Sequence, residues 1–317
     1  MNEKGMSLLQ LRQRKTRQTA ALFLAPVIIL LIVFIAYPIV DTFITSGYQW
    51  NGISADKKMV GFANWAKLIK DTKFWIAFKN NVIIMILSIV IQIPLGLAMA
   101  TFLDFGGKKL TVFKVIWFIP MLMSSVAIGF LFTYALATNG GIVSTISGWF
   151  GGGNIDLLGN PKLALITVIL IIAWQFTPFY MVYFMAGYTN IPYDVFEAAR
   201  IDGAGPLTVL LKVYLPISLP ALATVGLFAI VNHWNDYFSG LIYMSKASMY
   251  PLQTYIQQLT VDLTQITDAD QLKQLSALNN RSFNAAKIVV STIPLLIIYP
   301  FLQKYFVTGM VIGAVKE

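Results

Sequence analysis

Residues 190–220 read NIPYDVFEAARIDGAGPLTVLLKVYLPISLP, and this stretch decides how the rest of the chain is organised. Pro192 suits the first turn of a helix, and Asp194 places a negative charge at that helix's positive end. Val195, Ala198, Ala199 and Asp202 share one face at helical spacing. Gly203 stops the helix, and Gly205-Pro206 starts a second that runs to Pro216. A short helix, a tight turn and another helix result, with too many charged groups to cross a bilayer. The small Ala198 and Ala199 permit close approach of another protein, and Glu197 and Arg200 can make charged contacts across the interface. Helix geometry alone also admits an amphipathic loop lying on the membrane surface.

Outward from this segment the chain turns apolar. Charge-free runs cover 18–40, 80–103, 115–155, 163–193, 213–235 and 288–303. A helix needs about 20 apolar residues to cross a hydrocarbon core, and only a helix satisfies its own backbone there. Five runs are long enough as they stand, and the sixth becomes so if it starts near Phe283 with Lys287 close to an interface. The run 115–155 is too long for one helix, and the clusters Asn139-Gly140-Gly141 and Gly151-Gly152-Gly153 return the chain to a loop. The expected fold is therefore an all-α integral membrane protein with six transmembrane helices, near 19–41, 80–104, 112–137, 161–188, 216–242 and 283–304. Asn80 and Asn81 are expected to cap the second span. The first apolar run exceeds the 7–15 residues of a signal peptide and no small-residue cleavage site follows, so it reads as an uncleaved anchor.

Composition agrees. Hydrophobic residues make up 57% of the 317 and charged residues 12%, against about 25% charged in soluble domains. Lys4, Arg12, Arg14, Lys15 and Arg17 crowd the N-terminal tail, and Lys108, Lys109 and Lys114 a tight loop, which sets those segments on the cytoplasmic side with 190–215 and the C-terminal tail. The 42–79 loop, with six lysines against two aspartates, runs against this assignment but is longer. The net charge of +9 then reads as a threading signal, not a nucleic-acid surface. The expected organisation is a cytoplasmic tail over 1–17, a first transmembrane helix over 18–41, an extracytoplasmic loop over 42–79, a core transmembrane domain over 80–306 containing the loop 190–216, and a cytoplasmic tail over 307–317.

Several chemistries are excluded. There is no cysteine and one histidine, so no thiol catalysis, Cys-based zinc site or His-rich metal site is expected, and His233 reads as a packing residue. Gly106-Gly107-Lys108-Lys109 lacks the spacing and the hydroxyl of a phosphate loop. No DxxxD pair lies in a span. Ionisable groups are nearly absent from the spans, where a self-powered carrier places its coupling groups. The chain thus needs an energy source outside itself.

The order Glu197-Ala198-Ala199, three residues, Gly203, nine residues, Val213, one residue, Leu215-Pro216 resembles the EAA loop of ABC-importer permeases, and EAARIDGAGP resembles its form in the carbohydrate branch, the maltose-type sugar permeases. Leu24-Ala25-Pro26 through Tyr37-Pro38, and Val60-Gly61-Phe62-Ala63-Asn64-Trp65, resemble the larger maltose-type subunit. Trp117-Phe118-Ile119-Pro120 and Trp234-Asn235-Asp236-Tyr237 match common segments of the family. The ending YPFLQKYFVTGMVIGAVKE and the 243–284 loop resemble the partner-type subunit, so which half of a pair this chain represents stays open.

The resemblance implies a type I ABC importer transmembrane fold in a bacterial or archaeal cytoplasmic membrane, with both termini cytoplasmic. It implies a second permease subunit (a heterodimer), two cytoplasmic ATPases that bind ATP, and an extracytoplasmic solute-binding protein that delivers a sugar. By the same resemblance no cofactor is expected in this chain, and no enzymatic activity of its own. Glu197, Ala198, Ala199, Arg200, Asp202 and Gly203 would form the coupling helix that sits in a groove of the ATPase, and residues 309–317 would touch the ATPases too. Sugars offer hydroxyls to hydrogen bond and apolar faces to stack on rings. The pathway candidates are accordingly Trp174, Gln175, Asn232, Trp234, Asn235, Asp236 and Tyr134. Amides as interhelical ties and tryptophans as interface anchors are the alternative for each. Rival functions are an ABC permease for another solute, a secondary carrier, or a membrane enzyme.

Overall fold

A computed structural model describes residues 8–188, 193–259 and 280–314. The chain divides into two compact units, 1–70 with 262–290 and 71–261 with 291–317.

In the first unit, helices α1 (Leu8–Leu31) and α2 (Tyr37–Ser46) are joined by one π turn, Ile32–Ala36. Leu, Gln, Arg and Lys are good helix formers, which carries α1 back into the basic tail. The π turn precedes Pro38: the N–H of Tyr37 reaches Ile32 O, five residues back. Widening the turn makes room for the proline ring, which would otherwise press on the preceding turn's carbonyl. The same device recurs before Pro216, where Leu215 N–H reaches Leu210 O. The segment Arg12–Ser46 has a mean hydropathy of 2.9, and none of its most apolar stretch is buried.

The expected 42–79 loop holds regular structure. Strands β1 (Tyr48–Gln49) and β2 (Lys58–Met59) pair antiparallel, and α3 covers Ala63–Ile69. Buried Asn64 donates to Ser46 O (2.9 Å) and Tyr48 O (2.6 Å), and Trp65 Nε1 donates to Ser46 Oγ (3.1 Å). The Asn-Trp pair in the Val60–Trp65 stretch thus fastens α3 to the end of α2 and the start of β1. Lys57 lies 3.8 Å from the centre of the Trp50 ring and Lys67 4.8 Å from that of Phe283. Cations seated on aromatic faces account for part of the lysine excess that runs against the charge-based orientation.

In the second unit, α4 (Thr72–Gly106) and α8 (Pro161–Tyr188) form the central pair. The second span starts eight residues before the expected 80, because Asp71 caps it, accepting from Lys73 N (3.1 Å) and Phe74 N (3.2 Å). Asn80 and Asn81 therefore do not cap α4. Asn80 donates to Ser248 O and Tyr250 O (3.3 Å each), and buried Asn81 reaches Trp234 O (3.4 Å). A Cβ at Gly96 would lie 2.7 Å from Tyr180 Cβ and 3.1 Å from Met181 N, so glycine sets how closely the two helices approach. Two buried clusters run along the pair, one around Leu97, Met181 and Phe184 and the other around Ile84, Ile128 and Val168.

The third and fifth expected spans are bent. Helices α5 (Thr111–Leu122) and α6 (Ser125–Ala135) meet at 92°, with Ser124 Oγ accepting from Val126 N to start α6. A short α7 (Ile142–Trp149) lies between the two glycine clusters, where Gly140 and Gly151 have φ of 74° and 73°. Further on, α9 (Tyr193–Ile201) precedes a helical stretch made of α10 (Pro206–Val209), the π turn Leu210–Tyr214 and α11 (Leu215–Ile217). It meets α12 (Leu219–Asn235) at 81°. The expected helix over 216–242 also breaks at Asp236, whose Oδ1 accepts from Phe238 N and Ser239 N (3.1 Å each) and starts α13 (Phe238–Tyr243).

Helix α14 covers Leu252–Gln258. Helix α15 (Arg281–Ala314) continues into the expected C-terminal tail and passes from the first unit to the second after Val290. Among the described residues, four helical segments are long and apolar enough to cross a membrane, or up to six if each bent pair is one span.

Candidate transport site and coupling segment

The α5–α6 bend, the middle of α8 and the α12–α13 break converge on a cavity of about 370 Å³. Met121 and Ser125 reach it from either side of the first bend. Helix α8 contributes Ile172, Gln175, Phe176, Phe179 and Tyr180, one face at helical spacing. Asn232, His233 and Asp236 come from the end of α12, and Phe238, Ser239, Ile242 and Tyr243 from α13. Irregular backbone at membrane depth is tolerated where it lines a cavity, and both breaks do so.

Three sequence-predicted pathway residues meet here: Gln175, Asn232 and Asp236. Gln175 Nε2 lies 3.5 Å from Ser125 Oγ, a tie across the first bend. Asp236 spends one carboxylate oxygen on the α13 cap. The other four lie elsewhere. Trp174, one residue and about 100° round the helix from Gln175, is 38% exposed and packs edge-on against Phe132. Trp234 is 2% exposed, donates to Ser291 O (3.0 Å) and meets Phe78 edge-on. Asn235 Nδ2 turns back to Val231 O (2.8 Å) on its own helix. Tyr134 is 75% exposed near the end of α6.

The sequence reading missed the aromatic lining, Phe176, Phe179, Tyr180, Phe238 and Tyr243. A four-residue step from Gln175 along α8 reaches Phe179, and Phe176 and Tyr180 lie four and eight residues past Ile172 on the same face. It also missed the support behind the wall. His233 Nε2 lies 2.8 Å from Gln92 Oε1, and Gln92 Nε2 donates to Ile172 O (3.2 Å), so α12, α4 and α8 are joined by one buried chain. His233 packs as expected, and it also borders the cavity. Among the described residues no group of His, Cys, Asp or Glu is placed to hold a metal ion.

At the far end of α8, α9 carries Glu197, Ala198 and Ala199. Glu197, Ala198 and Asp202 are exposed, and Ala199 packs inward on the cluster around Leu97. Gly203 has φ 74°, Asp202 N donates to Ala198 O (2.9 Å) and Ala204 N to Ala199 O (3.0 Å). This Schellman closure needs a left-handed residue, the physical reason for glycine there. A Cβ at Gly203 would meet nothing within 4 Å, so the turn faces open space. Ile201, overlooked in the sequence, stands 79% exposed between Glu197 and Asp202 and gives this polar surface an apolar centre. The side chain of Arg200, and Pro192 altogether, lie outside the described residues, as do residues 1–7 and 315–317 of the tails.

Comparison with known proteins places this geometry. A permease protein of a polygalacturonan/rhamnogalacturonan transport system from Bacillus subtilis (strain 168) is 37% identical over 130 residues, 41% of this chain and 46% of that protein. A second protein of the same organism, LplC, is 38% identical over 149 residues, 46% of this chain and 50% of its own length. This chain thus matches about half the length of these two relatives. A lactose transport system permease protein from Rhizobium radiobacter is 28% identical over 247 residues, 75% of this chain and 82% of that one. The fold resembles a chain of a bacterial ABC transporter involved in import of the acidic polysaccharide alginate, with TM-score 0.73, 18% identity, and coverage of 97% of this chain and 99% of that one. The model of the family described as "binding-protein-dependent transport system inner membrane component" matches residues 92–312. That range takes in both the cavity and the segment 190–216, and the protein belongs to this family of inner membrane components.

Proposed function

We propose that this chain is the transmembrane permease subunit of an ATP-driven ABC importer and forms part of the translocation pathway for a sugar. The observation that carries the reading is the cavity. Aromatic faces from Phe176, Phe179, Tyr180 and Tyr243 surround Gln175, Asn232, Asp236, Ser125 and Ser239 in about 370 Å³. A sugar ring would lay its C–H face on the aromatics and exchange hydroxyl hydrogen bonds with the amides and the free oxygen of Asp236. The volume falls in the ordinary range of about 300–1,000 Å³ for small-molecule sites. The relatives named for polygalacturonan, rhamnogalacturonan and lactose transport support a saccharide.

In this reading the chain is no enzyme and holds no cofactor. Two separate cytoplasmic ATPases bind and hydrolyse ATP, a second permease subunit completes the pathway as a heterodimer, and an extracytoplasmic binding protein delivers the sugar. Both termini are cytoplasmic, in the cytoplasmic membrane. Glu197, Ala198, Ala199, Arg200, Asp202 and Gly203 form the lever on which the ATPases act, with exposed Ile201 at its centre. A chain without a nucleotide site can change state only through a partner that binds its two states differently.

The test is to purify the chain by a tag from its own membranes and ask whether an ATPase comes with it, in the wild type and in Gly203→Trp. The indole would project into the open space at the turn. The reading expects co-purification in the wild type and its loss, with ATP-dependent uptake, in the variant. Assembly and uptake that both survive Gly203→Trp would overturn it.

A further inference from the structure

The coupling segment is closed at its base. Tyr188 ends α8 and Tyr214 ends the π turn, so the two bracket the intervening loop in sequence. Their rings stack with centroids 4.1 Å apart and planes 26° from parallel. Both hydroxyls then turn to α4. Tyr188 Oη and Thr101 Oγ1 share a hydrogen bond at 2.9 Å, and both also reach Leu97 O, at 3.4 and 2.9 Å. Tyr214 Oη donates to Asp104 Oδ2, a charge-assisted bond. Thr101 and Asp104 are three residues apart, on one face of α4. Tyr188, Tyr214 and Thr101 are buried.

Packing alone would be served at least as well by phenylalanine, since each buried hydroxyl must be paired to avoid a penalty. Hydroxyls that all find partners on a third helix fix register as well as distance. The rest of the segment hangs on the same base, because Ala199 and Ala204, which close the turn at Gly203, pack on the cluster that contains both tyrosines. Higher up, α8 carries Gln175 and Tyr180 into the cavity, and α4 holds His233 through Gln92.

We propose that Tyr188, Tyr214, Thr101 and Asp104 are positioning residues that clamp the coupling segment to α4 and α8, so that displacement of residues 197–203 reaches the cavity wall instead of being lost in the loop. The inference rests on the reading of the chain as an ATPase-driven permease. Coupling between sites is established by perturbing it, not by a contact path.

The chain has no cysteine, so Ser239→Cys introduces a single thiol reporter in the cavity wall. The complex purified through this chain is labelled with a small maleimide before and after trapping with ATP and vanadate. The clamp predicts that trapping changes the labelling rate by about fivefold or more, the lower end of ordinary coupling free energies. In Tyr214→Phe, and separately in Tyr188→Phe with Thr101→Val, the ATPase still co-purifies and still traps nucleotide, but the rate change falls below about twofold. Variants that keep the wild-type change overturn the clamp. Variants that lose the ATPase overturn it too, since the hydroxyls then serve assembly and not transmission. A complex carrying Ser239→Cys alone whose labelling ignores nucleotide also overturns it. A wild-type chain that brings no ATPase sinks the proposed function itself.

Discussion

His233 Nε2 donates to Gln92 Oε1 across 2.8 Å, which ties the end of α12 to the middle of α4 at the cavity wall. Gln92 passes the connection on to the Ile172 carbonyl of α8. Two side chains thereby hold three helices in register around a space that must stay open.

Removing one partner should cost more than removing both. Gln92→Leu strands the imidazole N–H of His233 and is expected to destabilise the detergent-solubilised chain by about 1–3 kcal/mol. The double variant Gln92→Leu, His233→Leu should recover part of that loss. Thermal unfolding of the wild type, both single variants and the double variant closes the cycle. Strictly additive losses would show that the pair does not interact.

Gly96→Val tests how tightly α4 and α8 pack. A Cβ there meets Tyr180 Cβ at 2.7 Å and backbone at 3.1 Å, so one helix must shift. Overpacking of this kind costs about 1–3 kcal/mol. A melting temperature equal to the wild type's would mean that the helices are not in this contact.

At Gly203 conformation and space separate. With φ 74° and nothing within 4 Å of a Cβ, Gly203→Asn should be nearly neutral, because asparagine tolerates the left-handed turn. Gly203→Val should cost about 1–2 kcal/mol from backbone strain alone. Melting temperatures of the two variants without partners check the ordering, and an asparagine variant as unstable as valine would contradict the closure described for α9.

Asp236 combines a cap with a cavity lining. Asp236→Asn keeps an oxygen for Phe238 N and Ser239 N, so the chain should melt close to the wild type, whereas Asp236→Ala loses the cap at about 0.5–2 kcal/mol. Equal stability of the two variants would remove the capping role.

Much of the fold is legible in the sequence because lipid leaves little choice: a charge-free run long enough to cross must be helical. The six segments and the α9 turn at Gly203 follow from that and from the chemistry of Pro and Gly. The bends at Ser124 and Asp236 are harder to see. Each depends on one polar side chain capping a new helix inside an apolar run, and the same residue could equally turn back onto its own helix, as Asn235 does. In the cavity, the amides Gln175 and Asn232 and the acid Asp236 are legible from their chemistry alone. Ring chemistry alone did not place the tryptophans. Trp234 is occupied with Ser291 and Phe78, and Trp174 turns away from the cavity by a single residue's rotation. Phenylalanines facing lipid and facing a cavity look alike until the helix face is fixed by a polar neighbour, here Gln175.

The central claim is that the cavity between α8 and α13 is a stage in a sugar pathway driven by ATP at another subunit. It is tested most directly by ATP-dependent uptake of a panel of radiolabelled neutral and acidic oligosaccharides into proteoliposomes. These would carry the complex purified through this chain, loaded with its binding protein, in the wild type, Gln175→Leu and Trp174→Leu. Uptake of at least one sugar is expected, and it should require ATP. Gln175→Leu should reduce that uptake by about tenfold, the worth of one well-placed hydrogen bond. Trp174→Leu, whose ring lies outside the cavity, should stay within about twofold of the wild type. Undiminished uptake in Gln175→Leu, or uptake without ATP, would contradict it.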